Sequence, residues 1–276
     1  MKKLATLAFT AALGAALATT AQAAVTQLEG QAGGGIVPWA LLSSGTPTVS
    51  LTWVGTGDYT LSSSALQFSL FDRVELSYAR QTFDTEGVGL GKINVDVFGA
   101  KVKVLDMNDD WWRPTVAVGL QYKQTDLDKA ILDSWGSDDT GVDFYLAATK
   151  VWPLFKKNLL FDLTLRGTKA NQIGILGFGS SAHDSYKPEL EASVGYFLNE
   201  NTVLGVEYRA KPDNRPAGLK EDDWYDVFVA YFPSKNLSIV AAYAGLGDIA
   251  HEANASDNGQ AGKDERGLYL QIQANF

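Results

Sequence analysis

From Val49 onward the chain repeats one unit: about ten residues alternating between apolar and polar, then a break. The last unit is the clearest. Leu268, Leu270, Ile272, Ala274 and Phe276 share one face, with Tyr269, Gln271, Gln273 and Asn275 on the other. Phe161, Leu163 and Leu165 alternate with Asp162, Thr164 and Arg166; Leu190, Ala192, Val194 and Tyr196 alternate with Glu189, Glu191, Ser193 and Gly195. Val116, Val118, Leu120 and Tyr122 form another such set, and Leu204, Val206 and Tyr208 a further one. Each pattern predicts a strand with one apolar and one polar face. A soluble β-sandwich shares that property, so alternation alone leaves both folds open.

The connections separate the two. Short breaks fall near Asp72, at Leu105 to Trp112, Pro153 to Lys157, Asn199 to Asn201 and Pro233 to Asn236. Long polar ones fall at Asp84 to Gly91, Thr125 to Asp139, Ala170 to Asp184, Lys211 to Asp223 and Gly247 to Arg266. Counted back from Phe276, short and long alternate, as they do in outer-membrane barrels with periplasmic turns and extracellular loops. With a first strand near Thr48 to Val54 the count is about twelve, an even number that puts both termini in the periplasm. Aromatics support the same fold by gathering at the strand ends. Phe71, Trp111, Trp112, Trp152, Phe155, Phe197, Phe232 and Phe276 sit at the short-turn end, and Phe83, Tyr122, Tyr186, Tyr208, Trp224 and Tyr243 at the other. Two girdles of amphipathic rings are expected where a barrel meets lipid headgroups. The sequence therefore predicts an all-β, transmembrane antiparallel β-barrel in outer-membrane lipid and lipopolysaccharide.

One strand breaks phase. Ile93, Val95 and Val97 share a face, while Val102 and Val104 lie on the opposite one with Lys101 on the first. A β-bulge near Gly99 would restore the register and keep Lys101 out of lipid, where a lysine costs about 2–4 kcal/mol at the midplane.

The ends of the chain carry addresses. Lys2 and Lys3 precede the apolar stretch Leu4 to Ala18, and Ala21-Gln22-Ala23 is a small-x-small site, so residues 1–23 read as a cleaved signal peptide. Phe276, closing an alternating strand, matches a C-terminal signal for the barrel-assembly machinery. Residues 24–47 do not look like barrel. Gly33, Gly34 and Gly35 precede Ile36, Val37, Pro38 and Trp39, which reads either as a periplasmic lead-in or as a plug folded into the lumen.

Charge and chemistry narrow the function. The net charge of −9, with no basic cluster, excludes nucleic acid as a partner. The absence of cysteine excludes disulfides and a lipoprotein anchor. With the apolar set facing lipid, the lumen is lined by Glu75, Asp96, Asp143, Asp162, Glu189, Glu191, Glu207 and Asp226 against Lys123, Arg166, Lys187 and Arg209. These form a salt-bridge lattice or the lining of a pore, and the acidic excess favours cations or neutral solutes. Two histidines, His183 and His251, lie in predicted outer loops beside serines. That is a poor start for a nucleophile, which needs a bonded base and an orienting group, so no catalytic residue is expected. The cluster of Asp106, Asn108, Asp109 and Asp110 reads as a solvated turn, and neither a metal nor another cofactor is expected.

Two stretches carry a family resemblance: Leu28-Glu29-Gly30 through Gly33 to Ala40, and Leu70-Phe71-Asp72-Arg73-Val74-Glu75-Leu76-Ser77-Tyr78-Ala79-Arg80-Gln81 with Phe83-Asp84-Thr85. Together they resemble a family of uncharacterised proteobacterial outer-membrane proteins, a domain of unknown function spanning almost the whole mature chain. The resemblance implies the compartment and the barrel and transfers no site residue. The expected protein is a narrow channel for small cations or neutral solutes. The alternatives are a non-conducting structural or adhesive barrel with a plugged lumen and, behind it, an outer-membrane lipid hydrolase.

Overall fold

A computed structural model describes residues 24–85, 91–108, 110, 112–154, 157–214, 221–249 and 264–276. Residues 1–23, expected to be a signal peptide, and His251, Asp109, Trp111 and Phe155 lie outside the described residues. Two short strands, β1 (Val25–Thr26) and β2 (Ala32–Gly33), pair with each other. The barrel strands are β3 (Thr48–Gly55), β4 (Thr60–Leu70), β5 (Val74–Asp84), β6 (Lys92–Leu105), β7 (Thr115–Thr125), β8 (Thr140–Leu154), β9 (Lys157–Thr168), β10 (Lys187–Asn199), β11 (Thr202–Arg209), β12 (Trp224–Ser234), β13 (Leu237–Gly247) and β14 (Glu265–Asn275). Among the described residues these twelve close one barrel, each strand antiparallel to its sequence neighbours, with β14 returning onto β3. Closure satisfies every strand edge, the condition for a sheet in hydrocarbon. No helix of the described residues is long and apolar enough to cross a membrane.

The outer surface follows from the alternation. Leu268, Leu270 and Ile272 point outward, as do Phe161, Leu163, Leu165, Leu190, Leu204 and Val206, forming a belt that only lipid would cover. Tyr122, Tyr186, Tyr208 and Tyr243 join it at the loop end, while Trp152 lies tilted against outward-facing Phe161 with ring centroids 6.5 Å apart and the terminal Phe276 is exposed. Not every expected girdle ring is there. Phe83, Phe197 and Trp224 are buried inside the barrel, and Phe232 packs partly against the same interior core.

Two connections differ from the predicted scheme. The first loop-end connection is short, a turn over Thr56 to Tyr59 closed by the Thr56 amide on the Tyr59 carbonyl at 2.9 Å. The long connection after β9 does not stay outside. Residues Ala170 to Ser180, including a 3-10 turn at Asn171–Gly174, are buried in the loop-end mouth beside helix α1 (Lys129–Trp135). Gln172 and Ile173 hold positive φ of 46° and 59°, left-handed values that such side chains adopt only when their surroundings enforce them.

The phase of β6 is the main correction. Its pairing with β5 runs unbroken from Asp84↔Lys92 to Val74↔Val102, so there is no bulge near Gly99; the one irregularity on its other side lies between Lys103 and Leu105. Ile93, Val95, Val97 and Lys101 all face inward. Asp96, expected in the lumen, faces outward, where it takes hydrogen bonds from Arg80 at 2.8 and 2.9 Å and from the Tyr78 hydroxyl at 2.7 Å. Inner apolar residues are tolerated here because the inner wall of β6 is covered by chain rather than by water.

Candidate functional site: the filled lumen

The covering chain is the N-terminal segment. Every residue from Ala24 to Leu42 is buried, Gly33, Gly34, Gly35, Pro38 and Trp39 included. The segment is folded on itself by β1 and β2, by the Leu28 amide on the Gly35 carbonyl (2.9 Å) and by the Gly34 amide on the Val37 carbonyl (2.9 Å). It leaves through the turn end, where Ser43 meets Ser69 at 2.9 Å, and runs on into β3. Its glycines let backbone approach the wall: a Cβ on Gly34 would overlap the Glu207 carboxylate, and one on Gly30, whose φ is +95°, would come within 2.9 Å of Ala79 Cβ.

Hydrogen bonds join this segment to the wall around most of the circumference. Ser63 of β4 and Gln81 of β5 donate to the Leu28 carbonyl at 2.8 and 3.0 Å. Tyr145 of β8 donates to Gln31 at 2.8 Å, and Thr164 of β9 to the Pro38 carbonyl at 2.9 Å. Trp39 Nε1 donates to Ser193 of β10 at 2.9 Å, and the Ala40 amide to Thr149 of β8 at 2.7 Å. Glu75 of β5 accepts from the amides of Ala32 (2.9 Å) and Ser43 (2.6 Å), while Lys101 of β6, paired with Glu75 at 3.1 Å, donates to the carbonyls of Ala32 and Leu41. A buried segment leaves no backbone polar group without a partner at low cost, so these contacts specify its position.

Glu29 is the electrostatic centre. Its carboxylate meets Lys123 Nζ, Arg209 Nη1 at 2.6 Å and Arg166 Nη2 at 3.7 Å. Burial opposes its charge, yet Arg209, Lys123 and Arg166 outweigh that and hold the carboxyl well below the usual carboxylate range. The cations are themselves shared. Arg166 grips Glu191 with Nε and Nη2 at 2.6 and 3.2 Å and reaches Asp143 at 3.3 Å; Lys123 meets Asp143 at 2.5 Å; Arg209 Nε meets Glu191 at 3.2 Å. In a buried network desolvation offsets most of the attraction. The lattice therefore fixes where the segment sits more than it adds net stability.

Of the residues expected in the lumen, Glu75, Lys123, Asp143, Asp162, Arg166, Glu191, Glu207, Arg209 and Asp226 are buried in the interior. Lys187 and Glu189 are half-buried at the loop end of β10, in the inward phase. Lys101 and Glu29 were not expected there: the first was hidden by the phase of β6, the second lies in a segment without strand period. At the mouth a second cluster holds the inward loop. The Gln172 amide donates to Glu221 at 2.9 and 3.1 Å, and Lys211 bonds Gln172, pairs with Glu221 at 3.3 Å and lies 4.5 Å over the Trp224 ring. Beside His183, Ser180 Oγ accepts from the backbone amides of Ala182 and His183 at 3.3 and 3.2 Å. Among the described residues no group of three or more His, Cys, Asp or Glu could hold a metal.

A family model described as protein of unknown function (DUF3034) matches residues 22–273. No curated relative matches the chain. Among solved structures it is similar to the KdgM porin, with a TM-score of 0.52 and 11% identity over 83% of this chain and 99% of that one. It is similar in the same measure to the NanC porin (TM-score 0.52, 12% identity, 83% and 100% covered). At this identity the likeness is one of fold alone, a closed antiparallel β-barrel.

Proposed function

We propose that this chain, which belongs to the family described as protein of unknown function (DUF3034), is a gated outer-membrane channel for small cations or neutral solutes, closed at rest by its own N-terminal segment. One observation carries the reading: the segment is tied to the wall by ion pairs centred on Glu29 and by hydrogen bonds from its backbone to Glu75 and Thr149. Water and ions can replace such contacts, which leaves the apolar packing of Leu28, Ile36, Val37 and Trp39 against the wall as what opening must break. The likeness to two porins supports a conducting role for this barrel. Selectivity for cations follows from the wall, where Glu75, Asp143, Asp162, Glu191, Glu207 and Asp226 outnumber Lys101, Lys123, Arg166 and Arg209.

The second reading is a permanently closed structural barrel, and the inward fold of Ala170 to Ser180 favours it, because the mouth is then blocked independently of the N-terminal segment. Recording the refolded, intact protein in a planar bilayer under a salt gradient separates the two. The channel reading predicts infrequent discrete steps whose reversal potential lies on the cation side. A silent bilayer, with the folded barrel confirmed by its heat-modifiable gel migration, selects the closed barrel.

A further inference from the structure

The barrel interior is filled twice, by the N-terminal segment and by the loop from Ala170 to Ser180 at the mouth. The two fillings meet at one side chain. Lys123 of β7 is fully buried, and its ammonium has three N–H groups to donate. It bonds Glu29 of the segment, Asp143 of β8 at 2.5 Å and the Ile173 carbonyl of the loop at 3.2 Å. Leu28 and Ile36 of the segment join the same buried apolar cluster as Ile173 and Ile175 of the loop.

The loop has to be held. Gln172 and Ile173 are left-handed, and for a β-branched residue that conformation is a true outlier. The strained pair is gripped on both sides. The Gln172 amide donates to Glu221 at 2.9 and 3.1 Å, and the Ile173 carbonyl accepts from Lys123. Thr125, on the same inner face of β7 as Lys123, donates to the Ile175 carbonyl at 3.0 Å. Of these three grips, Lys123 is the one that also bonds the segment.

We propose that Lys123 couples the two obstructions, so that undocking the N-terminal segment loosens the mouth loop, and the reverse. The cause is the sharing of one cation. Without Glu29 the ammonium is drawn by Asp143, its aim at the Ile173 carbonyl is no longer fixed, and the left-handed turn gains by relaxing. Loosening is not release, because Thr125, Glu221 and Lys211 still hold the loop at the mouth. Coupling is reciprocal, so a change on the loop side reaches the segment by the same factor. The link rests on the gated reading for its use in conduction, but it is measured without current.

Amide hydrogen exchange of the full protein, refolded in detergent, reads both elements at once. Glu29→Gln is expected to speed exchange in residues 24–42 and, by at least about fivefold, in residues 170–180. Glu221→Gln lies on the loop side and should speed exchange in residues 170–180 and, by a similar factor, in residues 24–42. Lys123→Met keeps the stem and removes the ammonium. It should loosen both elements, and in its background each of the other two changes should stay on its own side. Heat-modifiable migration checks that each variant keeps the closed barrel, and the two glutamate variants decide the matter even if Lys123→Met does not refold. Effects confined to the segment in Glu29→Gln and to the loop in Glu221→Gln would overturn the proposal, because the obstructions would then be independent. Cross-effects that persist in Lys123→Met overturn it too, by routing the coupling through the apolar packing. Cross-effects that depend on Lys123 in a barrel that stays silent in a bilayer would remove the channel and leave the link standing.

Discussion

Deleting residues 27–46 is expected to convert a rarely open barrel into one that conducts continuously, with a severalfold larger time-averaged current. The strand pairing of the wall does not run through the deleted residues. Each strand pairs with its sequence neighbours, and β14 closes onto β3 from Leu268↔Gly55 to Asn275↔Thr48 without help from the segment. What leaves is the material that fills the interior: Leu28, Ile36, Val37 and Trp39 with the backbone that meets Glu75, Glu207 and Thr149. Twelve strands enclose more room than the eight whose interior side chains fill completely, so water enters the vacated space. The uncovered lining then combines apolar residues such as Ile93, Val95 and Val97 with charges among which carboxylates predominate, and the reversal potential should move further to the cation side. Ala170 to Ser180 remain at the mouth, so the unit step should stay well below that of a wide porin. An unchanged current from a correctly folded deletion variant would mean that the segment obstructs nothing.

Glu29→Gln is expected to be the most damaging single substitution in the segment, costing about 3–5 kcal/mol of segment docking. The amide keeps the shape but removes the charge that Lys123 and Arg209 share. Asp143 and Glu191 remain for those cations, which keeps the barrel closed and concentrates the loss on the segment. The readout is therefore twofold. Limited proteolysis should cut between Ala24 and Ser43 in the variant and spare the wild type, while the heat-modifiable migration of both stays the same. The pH dependence carries a defined sign. The Glu29 carboxyl is held below its ordinary value of 4.5, so its stabilisation is complete above that pH and fades as the medium becomes more acidic. Acid should loosen the wild-type segment toward the behaviour of the variant. A variant segment as protected as the wild type would remove Glu29 from the centre of the lattice.

How much of this was readable in the sequence depends on what covers each face. Strands β7, β9, β10, β11 and β14 were legible because lipid demands apolar residues on one side and their inner side chains are polar. Strand β6 was not. Its inner residues Ile93, Val95 and Val97 pack in the same core as Leu28 and Ile36, so both of its faces carry apolar side chains and the alternation loses its direction. Asp96 was placed inside for that reason, and a bulge was expected where the register runs straight. Phe83, Phe197 and Trp224 stand at girdle height yet point inward, because position along a strand does not tell which face a ring occupies. The inward loop did leave a trace: Ile173, Ile175, Leu176 and Phe178 are more apolar than a solvated loop requires. Glu29 left almost none. A lone acid in a glycine-rich stretch acquires its role only when Lys123, Arg166 and Arg209 arrive from three different strands.

The most direct test is to lock the segment in place and ask whether current stops. The chain has no cysteine, so Ala40→Cys with Thr149→Cys introduces a single pair at a point where the Ala40 amide already lies 2.7 Å from the Thr149 hydroxyl. Single-channel recording of this variant, oxidised and then reduced in the same bilayer, should show no steps while the disulfide holds and the openings of the intact protein after reduction. Identical steps in both states would contradict the account, because solute would then pass without displacing the segment; silence in both would show that the barrel does not conduct.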